Sequence, residues 1–378
     1  MYSVYQHWDP LKVCAVGQSY APEFYSFVSN VRVRNVLEKI AQETEEDYQK
    51  LIVMLQSFGV QVVRTQIHPD REFYFNGGRY SPPPMTPRDY MSVIGTKLYI
   101  DNNQGQRNWD LLKGPSWPDR PADIKQVPDW IVQECRDLHQ IDLSQAFCKD
   151  IIGYNCQPII DMIQQQGNEV VSISGINGAM TSRIGQDLYF GTTNPEVDQH
   201  LLRHDMTMLF PEYRCHVINT GGHSDSTFCP VKPGLIVSLR DIPTYADTFP
   251  DWEVVYLPGQ SWDAVKEFTK LKQKNQGKWW VPGQELNDDF TDFVESWLNH
   301  WVGYVEETVF DVNMLVIDEK NVICNGYNEQ VFKAFERHGV TPHIVNFRHR
   351  YFWDGGLHCI TSDLHRPGTI QDYFSERT

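Results

Sequence analysis

Positive charge is scarce in this chain of 378 residues: 33 Lys and Arg stand against 49 Asp and Glu, a formal net charge of −16. A nucleic-acid binder needs a basic footprint, so that class is excluded. A cationic small substrate is permitted. No apolar run approaches the roughly 20 residues of a membrane span. The opening MYSVYQHWDPLKV has neither a signal-type apolar core nor an Arg-rich transit pattern. The expectation is a cytoplasmic protein with no membrane and no nucleic-acid partner. Walker A and G-x-G-x-x-G patterns are missing, which leaves nucleotide use without support. The eight cysteines (Cys14, Cys135, Cys148, Cys156, Cys215, Cys229, Cys324 and Cys359) form no C-x-x-C pair. Scattered over a large chain they do not read as a disulfide framework, nor do they have the paired spacing of a structural zinc site. They are read as reduced thiols.

Hydrophobic side chains, by contrast, are plentiful, at 41% of the chain with 11 Trp, 18 Tyr and 19 Phe. That suits one large or two ordinary well-packed domains. Local patterns repeat. A strand is predicted over 11–17, then a helix from about Val36 to Phe58, stopped by Gly59, then a strand over 60–65. The helix–turn–strand unit returns at 159–173 and at 329–347, where Asn328 is a helix N-cap. Weaker copies carry strands at 214–219 and 252–257. Hairpins are predicted over 90–100, 181–191 and 314–324, with turns at Gly95-Thr96, Gly185-Gln186 and Asp318-Glu319. Pro233-Gly234 before 235–239 reads as a fourth, degenerate copy. Such self-similarity signals a repeat architecture closing around an axis. The stretch 101–150, rich in Pro, Asn, Asp and Trp, breaks the pattern and reads as an inserted excursion that covers the axial cavity or makes a subunit contact. A second insertion, 270–288, reads as polar surface.

The exits of the repeated strands hold the unusual residues. Asn177 follows one, His223 and Asp225 another, and a third leads through Gly355-Gly356 to His358 and Cys359. Asp89, in Pro87-Arg88-Asp89, precedes a hairpin. Equivalent exits of a closed repeat converge, bringing a thiol, an imidazole, an amide and carboxylates to one place. A nucleophile within reach of a base, with a third group orienting the base, is what nucleophilic catalysis needs. The two glycines are expected to supply positive φ or a close backbone approach. Flanked by a histidine and arginines, Cys359 is expected to be a reachable thiolate. For each residue there is a plainer reading: a small buried thiol for Cys359, a satisfied buried histidine for His223, a turn cap for Asp225, an ion-pair partner of Arg88 for Asp89, and an Asn-Gly turn for Asn177.

Four segments in order, WDPLKVCAVG (8–17), MTPRDYMSVIG (85–95), HSDSTFCPVKPGLIVS (223–238) and GGLHCITSDLHRPGTIQDYF (355–374), resemble the amidinotransferases of the glycine/inosamine type, within the guanidino-group-modifying superfamily. The resemblance implies a single-domain, five-bladed pseudosymmetric α/β propeller of the pentein type, spanning residues 1–378. It implies transfer of the amidino group of L-arginine to an amine through a covalent amidino-cysteine, releasing ornithine, with no metal or organic cofactor. Homodimer formation is a further expectation. By motif, Cys359 is the nucleophile, His223 the general acid/base, and Asp89 and Asp225 hold the guanidinium. The pattern also departs from the family. Asn177 stands where an aspartate orients the histidine, and Asp311 where a serine is expected. Ile242 replaces the arginine that meets the donor carboxylate, leaving nearby Arg240 as the candidate, and Ser362 lies three residues past the nucleophile. These changes point to an altered acceptor or donor. A hydrolase of the same superfamily and a non-catalytic binding protein on this scaffold are the alternatives.

Overall fold

The computed structural model describes residues 1–76, 78–101, 109, 113–121, 124–139, 143, 150–173, 175–192, 199–221, 223–239, 245–257, 279–298 and 312–376. One three-stranded plan is used five times. Two strands pair antiparallel, and a third, arriving later in the chain, adds parallel to the middle one. Val13–Val16 (β1) takes Gln61–Arg64 (β2) as its parallel neighbour. A short ribbon follows, Phe75–Asn76 (β3) with Arg79–Tyr80 (β4). The next sheet is Met91–Ile94 (β5), Lys97–Ile100 (β6) and Glu169–Ser172 (β7). The next is Thr181–Ile184 (β8), Asp187–Thr192 (β9) and Arg214–Asn219 (β10). Phe228–Lys232 (β11), Leu235–Ser238 (β12) and Glu253–Tyr256 (β13) form another. Leu315–Asp318 (β14), Asn321–Cys324 (β15) and Thr341–Ile344 (β16) form the fifth in chain order. The last strand, Thr361–His365 (β17), returns to pair antiparallel with β1, Ala15 opposite Ser362. Five blades of this kind make the pseudosymmetric α/β propeller, with the first blade closed by strands from opposite ends of the sequence.

The turns explain the hairpins. Gly95 and Gly185 take φ of 58° and 63°, the left-handed conformation that a two-residue connection requires. Gly185 has a second reason: a Cβ there would sit 2.0 Å from the carbonyl oxygen of Gln371, where the C-terminal tail crosses the turn. In the 314–324 hairpin a bulge moves the turn on by one residue. Asp318 ends β14 and its Oδ1 accepts the N–H of Lys320.

Helices flank the blades. The first, Val31–Ser57 (α1), starts earlier than the periodicity predicts, because its opening turn is amphipathically weak and is fixed instead by Asn30, whose side chain accepts from the N–H groups of Arg32 and Val33. It buries Val33, Leu37, Ile40, Tyr48, Leu51 and Leu55, at helical spacing, in the largest core cluster. The second, Ile151–Gln165 (α2), also starts well before the predicted 159, running through Pro158. Proline has no N–H to offer the carbonyl four residues back; here the Gln66 side chain donates to the Tyr154 oxygen at 2.7 Å in its stead. Two more helices of ten residues or longer are described, Gln199–Leu209 (α3) and Glu329–His338 (α4), the latter capped by Asn328 and ended by Gly339 at φ 68°. The predicted strand 341–347 is shorter: β16 stops at Ile344, and the chain beyond turns toward the nucleophile loop.

The N-terminal segment is a strap across blades. Val4 bridges to Gly95, Gln6 to Ile184, and the Leu11 N–H reaches the Ile317 oxygen. Within 101–150 the described residues form a small cluster of their own, centred on Trp109, Trp117, Ile131 and Cys135. The expectation of polar surface for 270–288 fails at its end. Trp279 is fully buried against the α1 core with Val281, since an apolar pair here has a core to enter.

Candidate active site

Cys359 lies in the loop between the helical turn Arg350–Trp353 and β17. Positive φ in this loop falls on Asp354, at 51°, and not on the glycines. Gly356 serves close approach: a Cβ there would lie 2.5 Å from the Oδ1 of Asn313. Asn313 is the residue the sequence reading missed. It is wholly buried, and every polar group of its side chain is used. Its Oδ1 accepts the N–H groups of His358 (2.9 Å) and Cys359 (3.2 Å); its Nδ2 donates to the Cys359 Sγ (3.0 Å) and the Asp225 carbonyl (3.2 Å). An asparagine just ahead of a predicted hairpin reads as turn chemistry, so only its burial could have marked it.

Asp225 sits in a 3-10 turn, Ser224–Ser226, entered from β10. Its Oδ2 accepts from the His358 ring Nδ1 at 2.8 Å and from the Cys359 thiol at 3.4 Å. Its Oδ1 is buried with no hydrogen-bond partner, and so is the Oδ1 of Asp89. Burial would raise Asp225, but the hydrogen bond from His358 and the electrostatic pull of His358, His223 and Arg88 together outweigh it and keep the carboxyl below its usual range. Burial pushes His358 down to about 4, Arg88 adding to the effect, so its ring is neutral at pH 7 and donates to Asp225. Asp89 is pushed up to about 6, by burial first; Asp225 adds to the rise, and His223 opposes it. His223 caps the Ser224–Ser226 turn, half-buried and close enough to both carboxylates to act on them electrostatically.

The expected reachable thiolate is not what the free protein holds. Cys359 is 1% exposed, and its thiol is raised well above the ordinary cysteine range. Burial is the main cause, and the Asp225 and Asp89 carboxylates add to it. The arginines that the sequence sets nearby serve another group. Arg88 does not pair with its neighbour Asp89: its Nε holds the carbonyls of His358 and Thr361, and its Nη2 reaches Asp363 at 3.0 Å. Arg183 binds both oxygens of Asp363 (2.8 and 2.7 Å), and Arg366 adds a third guanidinium at 2.8 Å. All four side chains are essentially buried.

Asn177 accepts the Met180 N–H on its Oδ1 at 3.0 Å, a local side-chain cap; neither Asn177 nor Gly178 takes the positive φ of an Asn-Gly hairpin turn. Ser362 is buried in β17 opposite Ala15, its Oγ without a hydrogen-bond partner, apart from the bonded set around the thiol. Arg240 and Asp311 lie outside the described residues. The structure thus gathers Cys359, Asp225, Asp89 and His223. Chemically the cluster is a protonated thiol facing two carboxylates, each with a buried oxygen that has no hydrogen-bond partner among the described residues, a set that suits a planar cation.

No family model matches the chain. It is 24% identical to the mitochondrial glycine amidinotransferase of Xenopus laevis, over 98% of this chain and 84% of that one. It is also 24% identical to the L-arginine:L-lysine amidinotransferase of Pseudomonas savastanoi pv. phaseolicola, over 76% of this chain and 68% of that one. Among solved structures, an amidinotransferase of the saxitoxin biosynthetic pathway from Microseira wollei superposes with a TM-score of 0.61 at 17% identity, covering 99% of each chain. At that identity the structural likeness is one of fold. Among the described residues no helix is long and apolar enough to cross a membrane.

Proposed function

We propose that the chain is an amidinotransferase, as its likeness to the glycine and L-arginine:L-lysine amidinotransferases supports, and that it moves the amidino group of L-arginine to an amine through Cys359. The observation that carries this reading is the pair of buried, unpartnered carboxylate oxygens on Asp89 and Asp225 beside the thiol. A guanidinium is planar and cationic and carries N–H groups on each edge; two carboxylates grip it by charge-assisted hydrogen bonds and fix its plane. Its binding also answers the two negative charges that hold the thiol protonated, so Cys359 ionises when the substrate is in place. The proton passes to His223.

The sulfur then attacks the central guanidinium carbon. The bond from that carbon to the side-chain nitrogen breaks, His223 returns the proton to the departing amine, and ornithine leaves a covalent amidino-cysteine. An acceptor amine takes its place, gives a proton to His223 and attacks the same carbon. The carbon–sulfur bond breaks, and the thiol is regenerated by that proton. Asn313 holds the sulfur and the loop N–H groups throughout, as a positioning residue.

The test is a product assay on purified protein with L-arginine and a panel of amines: glycine, lysine, ornithine, a polyamine and an aminocyclitol. Ornithine released only when an amine is present, and absent with Cys359→Ala, is the expected result (with ornithine as acceptor, the entry of isotope-labelled ornithine into arginine is followed instead). Citrulline or urea formed without an amine would mean that water is the acceptor and would overturn the transferase reading.

A further inference from the structure

A second concavity lies away from Cys359, where α1 meets the chain running into the nucleophile loop. It holds about 450 Å³, within the size range of small-molecule sites. One wall is apolar, built from Val36, Ile40, Val281 and Pro282, with Trp280 standing edge-on to Tyr351, ring centroids 5.2 Å apart. The polar groups are uneven. Glu43, Glu46 and Asp47 are acidic, but Arg348 contacts all three, Lys39 stands by Glu43, and Lys50 by Asp47. His349 turns its Nε2 to Glu43 at 2.7 Å. Glu285, at the edge, is engaged by the Gly283 N–H.

Arg350 is what remains. Its guanidinium lies over the Tyr351 ring at 4.9 Å and donates one Nη1 to the neutral oxygens of Asn346 and Phe347. Among the described residues no carboxylate pairs with it. Its Nε is buried with no acceptor. Among the described residues this leaves one cation without a carboxylate and one buried guanidinium N–H beside an apolar, aromatic wall. A buried N–H without an acceptor is a cost that a ligand oxygen removes.

We propose that this cleft is a second binding site, for a small monocarboxylate carried on a flat apolar body. The carboxylate meets the Arg350 guanidinium, and the body lies along Trp280, Val281 and Pro282. Among the described residues Arg350 is the cation of this cleft that no carboxylate pairs with, and a monoanion is its fitting counter-ion. The position gives the site a lever: Arg350 opens the turn Arg350–Trp353, and its carbonyl accepts the N–H of Gly355 at 3.2 Å, at the root of the loop that carries Cys359.

The experiment is calorimetric titration of the full chain with phenylacetate, and with benzylammonium as the oppositely charged isostere. Phenylacetate is expected to saturate one site, and benzylammonium to give no heat. Arg350→Gln is expected to weaken phenylacetate at least about tenfold. Lys39→Glu, a change at an exposed rim position that leaves the core untouched, is expected to weaken it in the same direction. Cys359→Ala is expected to bind as the parent does. No saturation up to about 10 mM, equal uptake of benzylammonium, or indifference to both charge variants would overturn the proposal. Loss of binding in Cys359→Ala would overturn it too, by moving the ligand to the axial site.

Discussion

Two charged clusters meet at the nucleophile loop, and they are built from the same chemistry with the proportions reversed. Around Asp363 one carboxylate is held by three buried guanidiniums, and both its oxygens are used. Around Cys359 two carboxylates stand together with no guanidinium, and each keeps a buried oxygen unused. The first is complete in the free protein and fixes structure: Arg88 ties it to the carbonyls of His358 and Thr361. The second keeps acceptors free among the described residues, of the kind that the first spends on guanidiniums. A fold can hide a guanidinium of its own or leave the place open for one that arrives.

The contrast can be broken at either end. The largest expected effect is on chemistry: Cys359→Ala should lower arginine-dependent ornithine release on the order of 10⁴-fold or more, with the melting temperature unchanged or raised. Next comes stability. Asp363→Asn leaves three buried guanidiniums without their counter-charge and should cost roughly 3–5 kcal/mol in denaturant unfolding. A loss below about 1 kcal/mol would mean that Asp363 is no anchor. Asp89→Asn should do the opposite to the thiol and the opposite to the fold. Removing a carboxylate near Cys359 lowers the pH at which iodoacetamide alkylates it, even as affinity for the guanidino donor falls by about 2 kcal/mol. Because burial holds Asp89 raised, its charge is unfavourable to the folded state, so neutralising it should leave stability equal or slightly higher.

The same group sets a pH dependence. Asp89 titrates at about 6 in the free protein, so below that pH it takes a proton and the guanidinium site loses one of its two charges. The donor KM should rise about tenfold per unit as pH falls below 6, and Asp89→Asn should flatten that limb. The smallest effect is expected at Asn177. Its side chain caps a local N–H, so Asn177→Ala should cost about 1 kcal/mol of stability at most, and a large fall in kcat would show that it reaches the chemistry.

Much of this was readable from the sequence, where the cause was local. Gly95 and Gly185 marked their hairpins because a tight turn needs positive φ, and Asn328 marked a helix start because a cap is a single residue's business. The start of α2 was hidden by Pro158, whose cost is met by a side chain from distant Gln66. The motif residues Cys359, Asp225, Asp89 and His223 were legible, and the structure places them together. What was not legible depends on burial and on partners far along the chain. The protonated state of the thiol comes from desolvation by a whole blade junction. Arg88 reads as Asp89's companion but serves Asp363, and the four bonds of Asn313 link three separate segments. The expected cytoplasmic location finds no support in a relative that is mitochondrial, and the expected homodimer rests on sequence alone.

The pairing of β1 with β17 has a bearing on how the molecule comes into being. The strand that completes the first blade begins two residues after Cys359, while its partner lies far earlier in the chain and is made long before it. Until that late strand docks, the loop lacks its footing on Arg88 and Asp363, and the thiol has no carboxylate beside it. A chain in which that strand has not docked thus lacks the Cys359–Asp225 contact that the closed ring provides.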